Sequence, residues 1–491
     1  MSTPTRPLWQ LSACELAEGI HTGGCTATEA LRAVIDRTEA LNPELNAIVY
    51  PTFEAALDRA RAADDATQRG ESWGPLHGVP VTFKENVDVV GMPTPNGVAA
   101  FERIVAPDDA PVVRNLRQAG AIVIGRTTTP EFSLRVTTDS PLHGRTRNPW
   151  HPDATAGGSS GGAGASAAAG FGPIHHGTDI GGSLRIPAFV NGVCTVKPTF
   201  GRIPVFNPSA VAERGLISQL MAVQGAICRE VRDVRLATRL MARGDAADPW
   251  WMPVPFDGEP IPAPIRIAYT KHPHGYRIHP DIVRALDATA RLLEAAGYAV
   301  EEVEPPPITA PAAGWMSVAL AEIKATLDPL ARRFGSETVC RIFDWYYEMG
   351  AVADGAGYIA GAAERTQMTR AWNLFLDRYP LVLTPFMMRP PFAWDEDVHS
   401  FERTKDLFDA LIYSYGVNYL SLPAGVVPTG LVDGLPIAVQ IIGRRYREDL
   451  ILDAMEVVER DAGVLAHQLW ARETQGSPSR FAALGAAVYQ W

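Results

Sequence analysis

Thr155–Ala188 reads TAGGSSGGAGASAAAGFGPIHHGTDIGGSLRIPA, and the parsing of this stretch decides the fold. Its first half matches G-x-S-x-G twice, on Ser159 and on Ser160. A strand-to-helix nucleophile elbow needs a hydrophobic strand running straight into the serine. What precedes is NPWHPDATAGG (Asn148–Gly158), which is polar and broken by proline. A Gly/Ser linker is the alternative, but GASAAAG (Gly164–Gly170) has the Ala content of a helix. The stretch therefore reads as a Gly-rich loop entering a helix. No G-K-[ST] follows the glycines, and no G-x-G-x-x-G follows a strand, so phosphate-cradling loops are excluded. The second half, PIHHGTDIGGSLRIPA (Pro173–Ala188), reads as a short strand, a Gly-rich turn and the start of another element.

The same helix–Gly–strand beat recurs outward from this stretch. DDAPVVRNLRQAG precedes AIVIG, DIVRALDATARLLEAAG precedes YAVEEVE, and FERTKDLFDALIYSYG lies just before YLSLPAG. Short β-branched runs such as VPVTF, alternating with helical periodicity, predict an α/β fold with helices covering a largely buried sheet. Thr26–Asn42 predicts a helix with Thr28 as its N-cap. The Pro-rich Pro253–Thr270 reads as a surface loop leading into a strand, and residues from about 310 to 378 as helical and rich in aromatics.

The chain has 491 residues, 46% of them hydrophobic, which suffices for a large core. Its net charge of −11 argues against a nucleic-acid groove or an anionic membrane surface as partner. Five scattered cysteines (Cys14, Cys25, Cys194, Cys228, Cys340) form no C-x-x-C pair. They predict neither a disulfide framework nor a zinc site, and a reducing cytoplasm fits them. No secretory signal or membrane-length apolar run is visible in the sequence.

Ser183 stands at the end of a glycine turn in which the N–H groups of Ile180, Gly181, Gly182 and Ser183 can converge on an anion. A serine there can attack a carbonyl while the turn holds the oxyanion. Two kinds of base are available. His175 and His176 lie a few positions upstream, and their alternative reading is ordinary strand residues, one facing in and one out. Lys84, at the end of the strand-like VPVTF, acts as a base only if burial or neighbouring charge brings its pKa from about 10.4 towards about 7–8.

Taken together and in this order, PLHGVPVTFKENVDVVGMPTPNG, GAIVIGRTTTPEFS, GRTRNPW, AGGSSGGAGASAAAG, GTDIGGSLRIPA and VKPTFGRI make the chain resemble the amidase signature family. ICREVRD, YPLVLTPF and GLPIAVQIIGRRYREDLIL match more loosely. The resemblance implies one large α/β domain over 1–491, with a mixed central sheet covered by helices on both faces. Its conserved core would cover about 70–205, a substrate-shaping region about 240–400, and the C-terminal part of the sheet about 380–460. It implies a Ser–cis-Ser–Lys triad: Ser183 as nucleophile, Ser159 as proton relay after a cis bond from Gly158, and Lys84 as base. Ile180, Gly181, Gly182 and Ser183 would form the oxyanion hole, with Ser160, Thr178 and Arg185 as supports. No metal or cofactor is implied.

Cys194, Thr195, Asn418 and Tyr419 depart from the family's usual residues, and MAVQGAICR lacks the D-x-x-G-P run typical of amidotransferase subunits. The expected function is hydrolysis of a small-molecule amide or carbamate (urethane), bulky or aryl-bearing, in the cytoplasm. A homodimer is left open. The substrate expectation rests on Trp315, Met316, Phe343, Trp345, Tyr346, Tyr347, Tyr358 and Trp372. The alternatives are a glutamine-hydrolysing subunit of a tRNA-dependent amidotransferase, an inactive binding-only member, and a Ser–His esterase built on Ser159 or Ser160.

Overall fold

A computed structural model of the chain describes residues 6–474. In chain order the strands are β1 Ile48–Val49, β2 Pro80–Lys84, β3 Ile122–Thr127, β4 Asp139–Ser140, β5 Gly144–Arg145, β6 Ile174–Asp179 and β7 Cys194–Lys197. There follow β8 Val223–Cys228, β9 Arg266–Tyr269, β10 Ala299–Glu302, β11 Leu381–Pro385, β12 Ala424–Val432 and β13 Leu435–Gly443. β4 and β5 form a small ladder of their own. The other eleven form one sheet in the order β1-β3-β2-β6-β8-β7-β12-β13-β11-β9-β10.

The sheet is mixed. β3, β2 and β6 run parallel, β6, β8, β7, β12, β13 and β11 pair antiparallel in turn, and β11, β9 and β10 are parallel again. Successive strand residues face opposite sides, and every residue of β2, β8 and β13 is buried. Both faces are therefore covered in the middle of the sheet, as the near-continuous apolar runs predicted. Among the described residues no helix is long and apolar enough to cross a membrane.

Gly161–Ala169 is a helix with all nine residues buried, capped by Gly170 at φ 86°. A Cβ on Gly162 would lie 2.4 Å from Thr128 Oγ1 and 2.7 Å from the Ala47 carbonyl oxygen. The Gly/Ala composition thus serves close packing inside the core, not linker flexibility. The helix expected over Thr26–Asn42 runs Ala27–Leu45, and its cap is Thr26, reciprocated by Glu29, instead of the expected Thr28. Asp64 takes the N–H groups of both Ala27 and Thr28, so Thr28 already lies inside the first turn.

β2 and β6 are parallel neighbours. Lys84 ends one and Asp179 ends the other, at the carboxyl edge where open α/β sheets bind ligands.

Candidate active site

Lys84 is fully buried, and its Nζ lies 2.7 Å from Ser159 Oγ and 3.0 Å from Thr178 Oγ1. Burial drives its pKa well below the ordinary lysine value, helped by the charge of Arg214 and opposed by Asp179 and Glu85. Arg126 holds the backbone at this strand end, donating to the carbonyls of Lys84 and Val87. The Gly158–Ser159 peptide is cis, as the resemblance implies. Thr178 also accepts from Asn86 Nδ2 at 3.2 Å, and the Ser160 hydroxyl lies 3.3 Å from both the backbone N and O of Thr178. The structure therefore brings Lys84, Ser159, Ser160 and Thr178 into one cluster.

Ser183 lies in the turn after β6, half-buried, with its hydroxyl bonded to no protein group among the described residues. The turn is tied at several points. Asp179 accepts from the N–H groups of Gly182 (2.8 Å) and Leu184 (3.1 Å). Trp315 Nε1 donates to the Ile180 carbonyl (2.9 Å) and Ser414 Oγ to the Gly181 carbonyl (2.9 Å). Of the four N–H groups expected to form the oxyanion hole, that of Gly182 already has a carboxylate partner. The N–H groups of Ile180, Gly181 and Ser183 have no protein acceptor among the described residues.

Arg185 is a buried anchor. Its guanidinium meets Asp179 (3.1 Å), Gln440 (2.8 Å), Asn418 and the Ser414 carbonyl. Burial works against ionisation of Asp179, but Arg185, Lys197 and Asn418 outweigh it and hold the carboxyl below its ordinary range. Asn418, noted as a departure from the family pattern, is the clamp between them: its Nδ2 donates to Asp179 at 2.9 Å.

The histidines are occupied elsewhere. Both are buried in β6, contrary to the one-in, one-out reading, because this strand is covered on both faces. His175 meets Thr82 Oγ1 and the Gly172 carbonyl, and His176 meets Gln224. Burial pushes each imidazole pKa down to about 3, so both are neutral.

The aromatic group of the variable region also divides. Phe343, Tyr346 and Trp372 are buried core residues, and the hydroxyls of Tyr347 and Tyr358 are tied to Asp328 and Glu322. Trp315 alone of the eight hydrogen-bonds to the Ser183 turn. Sequence reasoning did not single out Asp179, Ser414 or Arg214. For Asp179 a signal was present, since an Asp opening a glycine turn commonly accepts backbone N–H groups ahead of it.

The Amidase family model matches residues 29–452. The chain belongs to the amidase family. It is 47% identical over 468 residues, 95% of this chain and 89% of the other, to the indoleacetamide hydrolase of Bradyrhizobium diazoefficiens. Identity to a glutamyl-tRNA(Gln) amidotransferase subunit from Carboxydothermus hydrogenoformans is 30%, over 92% of this chain and 98% of that one. Among solved structures, a bacterial aryl acylamidase of the amidase signature family superposes with a TM-score of 0.83 at 26% identity, covering 96% of this chain and 100% of that one. This amidase is accordingly a hydrolase of carbon–nitrogen amide bonds on a single α/β amidase signature domain.

Proposed function

We propose that this amidase cleaves a bulky, aryl-bearing amide through an acyl-enzyme on Ser183. The observation that carries the reading is the 2.7 Å approach of the buried Lys84 Nζ to Ser159 Oγ. A neutral amine accepts a proton where an ammonium cannot, and burial favours the neutral form. Lys84 takes the Ser159 proton as Ser159 takes that of Ser183, and Ser183 Oγ bonds to the carbonyl carbon. The oxyanion meets the N–H groups of Ile180, Gly181 and Ser183. The relay then returns a proton to the nitrogen, the C–N bond breaks, and the amine or ammonia leaves. Water attacks the acyl-enzyme by the same relay and releases the acid. No step calls for a metal.

The aryl preference draws on two supports: the indole ring named for the relative at 47% identity, and the Trp315–Tyr415 ring pair beside the Ser183 turn, with centroids 5.7 Å apart. An aryl carbamate presents the same carbonyl to the same donors. The test is kcat/KM for indole-3-acetamide, an anilide, an aryl carbamate, acetamide and glutamine. We expect indole-3-acetamide or another aryl amide to lead and acetamide to lag by well over tenfold, since each lost methylene costs about 1 kcal/mol or more in an apolar pocket. Glutamine turning over fastest would replace this reading with the amidotransferase one.

A further inference from the structure

We infer that Trp315 is a positioning residue for the oxyanion hole, and that its indole N–H sets the direction of the Gly181 N–H. The inference rests on the Ser183 reading above.

A trans peptide is planar, with its C=O and N–H pointing opposite ways. The only cis bonds among the described residues are Gly158–Ser159 and Ala263–Pro264, so both peptides flanking Gly181 are trans. In the peptide joining Gly181 to Gly182, the carbonyl accepts from Ser414 and the N–H donates to Asp179. That plane is held from both sides. In the peptide joining Ile180 to Gly181, the carbonyl accepts from Trp315 Nε1 at 2.9 Å, and the N–H has no protein acceptor among the described residues. Trp315 therefore fixes this second plane from one side alone, and the free Gly181 N–H points away from the indole.

The ring is seated for the task. A Cβ on Gly181 would lie 3.2 Å from Trp315 Cζ2, so the indole packs flush against the glycine. Trp315 opens a π-helical turn, Trp315–Ala319, between the helices Thr309–Gly314 and Leu320–Thr326. Such turns are rare and are found frequently at functional sites. The turn lies in the region expected to shape the substrate pocket, so a wall of that region also aims a donor of the chemical step. An oxyanion donor strengthens its hydrogen bond as charge develops, and its misalignment lowers kcat more than it weakens substrate binding.

The test replaces Trp315 by 3-benzothienylalanine, which exchanges the indole N–H for sulfur at nearly the same volume, alongside Trp315→Phe and Trp315→His. Indole-3-acetamide is the substrate, phenylboronic acid the tetrahedral mimic and indole-3-acetate the ground-state ligand. Direct loss of an oxyanion donor costs about 10²–10³ in kcat, so an indirect loss is expected to cost about tenfold. For the benzothienyl protein, which keeps the fused ring, KM and the indole-3-acetate Ki should stay within threefold, while the phenylboronic acid Ki rises with the fall in kcat/KM. Trp315→His, which keeps a ring N–H, should retain more kcat than Trp315→Phe. The inference is overturned if the benzothienyl protein matches the parent in kcat, or if KM and the indole-3-acetate Ki rise by the same factor as the boronate Ki. Ser183→Ala separates the two layers: a dead Ser183→Ala with an unimpaired benzothienyl protein removes Trp315 only, whereas an active Ser183→Ala removes the mechanism beneath it.

Discussion

Lys84 and the two histidines of β6 differ in what their burial leaves within reach. Lys84 is enclosed yet touches two hydroxyls, whereas His175 and His176 are enclosed and engaged with Thr82, Gly172 and Gln224. Ser183→Ala and Lys84→Met are expected to lose turnover by at least 10³-fold, on the scale of other removed nucleophiles and bases. Ser159→Ala should keep a small residue, because a water can partly replace a relay hydroxyl. His176→Ala should lower stability by roughly 2–3 kcal/mol, as other large-to-small core changes do, but keep kcat within about threefold; a dead His176→Ala beside a healthy Lys84→Met would reinstate the Ser–His esterase. Burial lowers the Lys84 pKa, so the active neutral form grows as pH rises and kcat/KM should climb on a single limb. The Arg214 charge favours that neutral form. Arg214→Gln should therefore move the limb to higher pH, read from kcat/KM profiles; a shift to lower pH would contradict the assignment of the limb to Lys84.

Elements carry Lys84, Ser159 and Thr178 to one place, and the sequence announced those elements unequally. β2 and β6 were legible because their runs are apolar and bounded by turn residues. The placements of Lys84 at a strand end and of Ser183 in a glycine turn were legible from the runs VPVTF and DIGGS. Trp315 and Ser414 were not, since their partners lie 135 and 233 residues away and no local pattern encodes such a contact. The aromatic run FDWYYEM was ambiguous for a related reason: Phe343 and Tyr346 sit on the buried side of the helix Glu337–Gly350, and periodicity does not separate a core face from a pocket face. The helix Gly161–Ala169 leaves no room for a side chain at Gly162. Gly162→Ala places a methyl against Thr128 and the Ala47 carbonyl, where backbone would have to move. Overpacking of this kind costs typically about 1–3 kcal/mol, and urea unfolding should show at least that loss. Thr26→Ala, which removes an exposed cap, should cost about 1 kcal/mol and leave kcat unchanged.

Across the whole molecule, folding shifts protons in opposing sets. Burial pushes His175 and His176 down to about 3, so the unfolded chain binds their protons first and stability falls as pH drops below about 6.5. Burial pushes Asp233 up to about 6 and Glu459 up to about 7, so stability from these two falls as pH rises from about 4 to 7. Above neutrality the opposition passes to amines and thiols. Cys14 and Cys25, raised to about 12 and 11 by burial, keep protons that unfolded thiols lose above about 8.5. Lys197 works the other way and can be isolated. It is fully buried at the end of β7, its Nζ donates to the Pro198 carbonyl at 2.9 Å, and burial, aided by Arg185, lowers its pKa to about 7 against the pull of Asp179 and Glu448. Between about pH 7 and 10.4 the unfolded chain holds a proton on this amine that the folded chain has released. The parent protein therefore gains stability from Lys197 as pH rises through that window, by up to about 1.4 kcal/mol per pH unit. Lys197→Met removes the group from both states and cancels its contribution. The variant's stability relative to the parent should be greatest at pH 7 and decline by up to that slope towards pH 9, read from urea midpoints at pH 7, 8 and 9 with unchanged m-values. A difference independent of pH would mean that Lys197 stays protonated in the fold, held by Asp179 and Glu448.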